Sequence, residues 1–398
     1  MSAAPPQNNT TGNSNESFMK SAIYSYHSGR LFSHAANQEI NEAKAGLVLC
    51  FGAKSLLAGK PVFTMLREKF PAASIALCST SGEIFHTEVM DETLSITAIE
   101  FDKTRISPQQ INIRDYSNSY EAGKALIGQF EKQDLAYILV LSDGSHVNGS
   151  ELVRGMNEEA GEQVLITGGL AGDGSNFSST LVGLDNHPEE GVIAAIGFYG
   201  KNLRVQYGSQ GGWETFGLEK TVTRATANEL FEIEHFSALE LYKQYLGPEA
   251  ESLPGSALLY PLAVKIPGTE EPVVRTILSI DDKKGSMIFA GDIPVGSKVR
   301  FMKANFDKLT NAASGAANLT HTLEETKPDL ALLISCVGRK LILKSRTEEE
   351  VEAVNEVFGQ HTLLTGFYSY GEISPLKKGG ACALHNQTMT ITTFHEIQ

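Results

Sequence analysis

Three stretches of this chain repeat one grammar: an apolar strand, a polar turn, a helix, a second short strand, and a loop that carries glycine. The first runs LVLCFGA from Leu47, then a helix through Leu56, Met65 and Phe70, the strand SIALC, the loop Ser79-Thr80-Ser81-Gly82-Glu83-Ile84, and the alternating strand TLSITAIEF. The second runs YILVLSDG, a helix beginning near Asn148, VLITG and the loop Gly168–Gly174, followed by the strands GVIAAIGFYG and LRVQYGS. The third runs LALLISCVGRK, a helix from about Glu348 to Phe358, TLLTG, the loop Phe367–Ile373, then ACALHN and MTITTF. Alternating β-rich runs and amphipathic helices specify an α/β, mixed α+β fold of repeated strand-helix-strand units with mixed sheets. Each second strand ends near a glycine, where the backbone turns sharply or approaches something closely, so the loops are expected at equivalent strand ends. Loops at carboxyl ends of strands are where α/β sheets collect ligands.

Between the second and third units the residues from about Ala227 to Leu246 read as one helix, followed by strand pairs around ALLYPLAV, VVRTILSI and SMIFA. A long helix is expected from about Lys303 to Glu325. At 398 residues the chain exceeds what a single core usually serves, and two domains are expected over 18–234 and 235–398. Residues 1–17, rich in Asn, Ser, Thr and Pro, read as a disordered tail.

A net charge of −14 and the lack of any basic run argue against a phosphate-backbone binder. No stretch reaches the ~20 apolar residues of a membrane helix, and no signal-peptide pattern opens the chain, so a cytoplasmic location is expected. The cysteines Cys50, Cys78, Cys336 and Cys382 are too scattered for a disulfide framework and read as buried thiols. Gly59-Lys60 lacks the rest of a phosphate loop, Gly168–Gly174 lacks the dinucleotide register, and no hydrolase signature is present.

The densest constellation of polar chemistry lies near the carboxyl terminus: Cys336, Arg339, Tyr368, Tyr370, Gly371, Glu372 and His385, with Glu83 repeating Glu372 in the first unit. A guanidinium fork matches a carboxylate, tyrosines combine an apolar body with a hydroxyl, and a carboxylate accepts from an ammonium. Such a set suits a small polar or zwitterionic ligand. The bland alternative pairs Arg339 with Glu372 across the two loops and has His385 donate to a backbone carbonyl in the core. An enzymatic alternative makes Cys336 a nucleophile with His385 as its base, in acyl transfer.

The segments CSTSGEIF, GGLAGDGSNF, QGGW, CVGR, GFYSYGEISP and HNQTMT resemble, in order, the FIST_N and FIST_C domains of signal-transduction proteins. The resemblance implies a non-catalytic sensory protein that binds a small ligand of amino-acid type. It further implies a partner histidine kinase or a diguanylate cyclase or phosphodiesterase, and leaves a homodimer open. The sharper form of the resemblance is to nitric-oxide-sensing FIST proteins that bind haem. Haem would need an axial histidine; His385 is preferred for its place between motif strands, with His34 and His86 as rivals.

Overall fold

The computed structural model describes residues 18–27, 30–59, 61–161, 164–253, 255–320 and 327–397. The tail expected over 1–17 and the end of the helix expected to reach Glu325 lie outside the described residues.

Three leading strands, Leu47–Gly52, Leu135–Ser142 and Leu330–Cys336, are almost wholly buried, as continuous apolar runs must be in a sheet covered on both faces. Each pairs in parallel with the second strand of its unit, Ser74–Ser79, Leu165–Leu170 and Leu363–Ser369. A parallel pair requires a crossover, and helices supply it. In the first unit this helix is broken at Pro61 into Lys54–Gly59 and Val62–Lys69. In the second it is Gly149–Ala160, started by the Asn148 side chain, which accepts from the amides of Ser150 and Glu151. The third uses Val337–Leu343 and Thr347–Phe358.

On the other side of each leading strand runs an antiparallel return strand, Leu94–Glu100, Val192–Tyr199 or Met389–Glu396. Beyond it lies an outer strand, Lys20–His27, Arg105–Asn112 or Leu203–Gln210. The sequence reading placed LRVQYGS in the second unit. The structure pairs it with Met389–Glu396 of the third, because Arg105–Asn112 already fills the outer position of the second sheet.

Each sheet is completed by a short strand lent by another unit. Glu83–Phe85 of the first unit joins Leu363–Ser369, Gly371–Pro375 of the third joins Leu165–Leu170, and Val182–Leu184 of the second joins Ser74–Ser79. The three six-stranded sheets therefore form a closed ring, with one central core. Phe51, Tyr137, Leu139, Ile334, Phe367 and Phe394 from all three units meet there, with Phe51 and Phe367 at 4.7 Å between ring centroids. Each such buried side chain contributes roughly 1.5–3 kcal/mol.

Glycine is required where second strand crosses leading strand. A Cβ on Gly168 would lie 1.9 Å from the Val140 carbonyl oxygen, and one on Gly366 would lie 1.8 Å from that of Leu333.

Strands between Glu214 and Lys303 form a separate eight-stranded sheet inserted into the third unit, with its own core around Leu230, Tyr242, Phe289 and Phe301. The helix expected from Ala227 begins only at Ala238. Glu229–Ile233 is instead a strand, paired on both sides, and Glu234 and His235 turn the chain at positive φ of 51° and 69°. Ser237 then caps the helix through the Glu240 amide, at the start of a Ser-x-x-Glu pattern that marks the true beginning. The long helix is Phe306–Leu319, capped by Asn305. The insert is fastened to the ring by Arg275, whose Nη1 donates to the Leu384 carbonyl at 3.0 Å, and by Asn148, whose Nδ2 donates to Asp292 at 2.9 Å. Among the described residues no helix is long and apolar enough to cross a membrane.

Candidate functional site

The glycine loops of the three units meet at the centre of the ring, joined by backbone hydrogen bonds. Ser81 N–H donates to Tyr368 O at 2.8 Å and Tyr368 N–H to Gly82 O at 2.9 Å. Gly172 N–H donates to Ser79 O at 2.8 Å, and Tyr370 N–H to Leu170 O at 3.2 Å. The loops converge in contact, so space for a ligand lies around them rather than between them.

Most of the carboxyl-terminal constellation is packed solid. Arg339 is fully buried and pairs with Glu350, not Glu372: its Nε and Nη2 donate to Glu350 Oε2 at 3.0 and 2.7 Å. The guanidinium also donates to Gly211 O and Leu309 O, which ties the QGGW turn and the helix Phe306–Leu319 to the third unit. Tyr368 Oη and Ser335 Oγ donate to the other oxygen of Glu350. Burial, then the Glu350 charge, pushes the Tyr368 phenol far up, so it stays a donor. Arg339 and Tyr368 thus form a clasp and line no hollow described here.

Glu83 and Glu372 occupy equivalent places. Each accepts from a hydroxyl three residues back, Thr80 or Ser369, and from the amide and hydroxyl of the threonine heading a return strand, Thr93 or Thr388. Burial pushes each carboxyl up to about 7, against those bonds. Gly371 heads the lent strand beside Glu372. Cys336 is buried, and burial followed by the Glu372 charge raises its thiol strongly. His385 Nε2 lies 2.9 Å from Ser374 O, so the structure does not join Cys336 and His385 as nucleophile and base.

The three histidines singled out for haem, His385, His34 and His86, border none of the hollows described below. Burial lowers the His385 imidazole to about 4 and its ring nitrogen is engaged by Ser374 O within solid packing. His34 is exposed on the strand Arg30–Ala36 and bonded to Ser25 Oγ at 2.7 Å. His86 has a buried Nδ1 without a partner among the described residues, but it borders none of the hollows described below. Among the described residues no cluster of His, Cys, Asp or Glu could hold a metal ion.

Three hollows surround the joined loops, each at the carboxyl end of a leading strand. One of about 300 Å³ borders Lys54, Glu83 and Asp173. Another of about 570 Å³ borders Ser81, Asp91 and Lys340. Both are strung with internal ion pairs, Lys54 on Asp173 at 3.3 Å and Lys340 on Asp91. The third, about 380 Å³, differs because the inserted domain roofs it: Gly144–Gly149, Phe177 and Tyr370 from the ring face Asn228, Leu278 and Phe289–Gly291. Its size and mixed lining are those of a small-molecule site, and it lies between two separately cored bodies. Tyr370 is the member of the predicted set that borders it. Burial pushes the Tyr370 phenol up to about 12, and the protonated hydroxyl donates to Gly174 O while accepting from Phe177 N–H at 3.0 Å. Phe177 stacks on Tyr370 with centroids 4.8 Å apart and planes 19° apart.

His146, Asn148, Asn228 and Phe177 were missed as site residues. Phe177 lay in view at the end of the GGLAGDGSNF loop, and the Asp143-Gly144-Ser145 turn after an apolar strand marked the other wall. Nothing local marks Asn228 or Leu278, which the insert brings from far along the chain.

Two family models match the chain, the FIST N domain over residues 46–235 and the FIST C domain over residues 238–375. The chain belongs to the FIST family. FIST domains are small-ligand sensory domains of signal transduction, and the hollow beneath the insert spans both matched regions of this FIST protein. No curated protein matches the sequence. The solved structure of cyanuric acid hydrolase from A. caulinodans aligns over 90% of this chain and 92% of its own, at 8% identity and a TM-score of 0.34. A second structure, described as cyanuric acid hydrolase and an evolutionary innovation by structural concatenation, aligns over 90% and 92% at 8% identity and a TM-score of 0.31. Likeness at that level carries no argument about this FIST chain.

Proposed function

We propose that this FIST protein is a sensory receptor that binds a small molecule in the hollow under the inserted domain and reports occupancy to a separate signalling enzyme. A histidine kinase, or a diguanylate cyclase or phosphodiesterase, is the partner class. The observation that carries the reading is the double origin of the hollow: one wall belongs to the ring and the roof to a body with its own core. A ligand that touches both walls prefers one relative placement of the two bodies, and that differential affinity is what a sensor requires. The ties between them include Arg275 to Leu384 O, Asn148 to Asp292, Asp292 N–H to Ser150 Oγ, Lys377 to Glu270 and Glu271, and a small apolar cluster of Leu259 with Leu309, Ile342 and Leu343. These lie outside the two main cores, so the roof can shift without unmaking either core.

The test is hydrogen exchange on the full chain with and without a small-molecule extract of cells. Slowed exchange in Gly144–Gly149 and Phe289–Gly291, lost in Ser145→Trp, is the expected result. Unchanged exchange in both segments, or protection that persists in Ser145→Trp, overturns the reading. The reading is free of haem: protein expressed with haem supplementation is expected to show no Soret band. A Soret band that shifts on nitric oxide would reinstate the haem sensor in its place.

A further inference from the structure

The walls of the hollow restrict what can occupy it, and this inference rests on the receptor reading above. Among the described residues lining it there is no lysine or arginine. The Arg275 guanidinium lies behind Gly291 and is engaged by the carbonyls of Val274, Leu384 and Asp292. No aspartate or glutamate among the described residues lines the hollow either, and the carboxylates nearby are already engaged, Glu190 by Arg114 at 3.5 Å and Asp143 by the amides of Ser145, His146 and Gly191. His146 lies with Nδ1 3.4 Å from Asp143 and Nε2 3.9 Å from Glu190, and Asp292 sits behind Asn148. A carboxylate or phosphate entering here would find no lysine or arginine on the walls to pair with, and the amides of Ser150 and Glu151 at the helix start are already taken by Asn148.

What the hollow offers instead is an aromatic face and neutral hydrogen-bonding groups. Phe177 is 45% exposed, held at a positive φ of 50° that bulky side chains rarely adopt, and stacked on Tyr370. Strain of this kind persists where the surroundings impose it, and it leaves an aromatic ring at the edge of an enclosed space. Asn228 spends its Nδ2 on Phe289 O, which leaves Oδ1 as an acceptor, and Ser145 brings a hydroxyl. Leu170, Val147 and Phe289 supply the apolar remainder.

We propose that the ligand is a small, flat, uncharged nitrogen heteroaromatic that lies against Phe177 and Tyr370 and bonds through its ring edge or amide to neutral groups. An amino-acid-type zwitterion is disfavoured by the same walls, which hold no lysine or arginine for its carboxylate.

A matched pair of probes tests the charge directly: nicotinamide and nicotinate share a ring and differ in a carboxamide against a carboxylate. Binding to the full chain is measured by calorimetry and ligand-observed NMR at neutral pH. Nicotinamide is expected to bind at least about tenfold more tightly than nicotinate, and Phe177→Ala to weaken it about tenfold, the scale of a lost stacking contact. Phe177→Leu, which keeps apolar bulk without a π face, is expected to weaken it as well, with an unchanged thermal midpoint showing that the fold is intact. Equal or tighter binding of nicotinate, no binding of either probe, or indifference to both Phe177 variants overturns the proposal. Ser145→Trp separates the two levels. If nicotinate binds and Ser145→Trp abolishes that binding, the ligand class is wrong and the receptor site stands. If bound probe is unaffected by Ser145→Trp, the hollow is not the site and both readings fall.

Discussion

Replacing Glu372 with glutamine should make the protein progressively more stable than the wild type as pH rises. In the folded chain Glu372 is wholly buried, and burial lifts its carboxyl from 4.5 to about 7 despite bonds from Ser369 and Thr388. The folded state therefore keeps a proton that the unfolded state has released throughout that interval. A group whose folded pKa is raised contributes stability that is present below the unfolded value and lost as pH climbs through the folded one. A rise from 4.5 to about 7 is worth about 3 kcal/mol. The opposite slope comes from His385, lowered to about 4, whose contribution is present above its ordinary value and lost as pH falls. Subtracting variant from wild type at each pH removes that second effect. The assay is urea unfolding at intervals from pH 5 to 8.5, with the Gln advantage expected to grow by about 2.5 kcal/mol across the range, the remainder falling below pH 5. Glu83→Gln should behave alike, since Glu83 has the same bonding pattern and the same pKa of about 7. A difference that stays flat, or shrinks as pH rises, would show that the hydrogen bonds outweigh burial and that the reasoning is wrong.

Arg339→Met leaves the Glu350 carboxylate buried without its cation, and should cost about 3–5 kcal/mol in urea unfolding, with much of the loss recovered in Arg339→Met/Glu350→Gln. An equal loss in the double variant would show that the guanidinium acts through its carbonyl contacts alone. Gly366→Ala forces a Cβ onto the Leu333 carbonyl and should cost about 3 kcal/mol or more in thermal unfolding. Gly128→Ala, in an open helical position, should be neutral or slightly stabilising.

The strand-helix-strand units were legible because buried parallel strands write themselves as unbroken apolar runs, and LVLCFG, YILVLS and LALLISC are such runs. The lent strands were not. Glu83–Phe85 and Val182–Leu184 are three residues each, too short to carry a period, and their partners are set by ring closure rather than by local pattern. Arg339 was misread for a similar reason. Its partner Glu350 sits in Glu348-Glu349-Glu350, which reads as a solvated acidic helix start, and only the packing shows that Glu350 is the buried member. The site was half visible: Tyr370 and the glycine loop preceding Phe177 stood out, whereas the roof depends on how an insert folds back over a distant turn.

The exchange of strands has a consequence for biosynthesis. Met389–Glu396 is flanked on both sides, by Leu330–Cys336 and Leu203–Gln210. Gly371–Pro375 fills the gap beside Leu165–Leu170. While the nascent polypeptide is still emerging from the ribosome, the earlier units wait with unpaired edges, and the circle cannot shut until residues 371–396 have been made. A stop codon at Met389 would therefore strike the middle of a sheet.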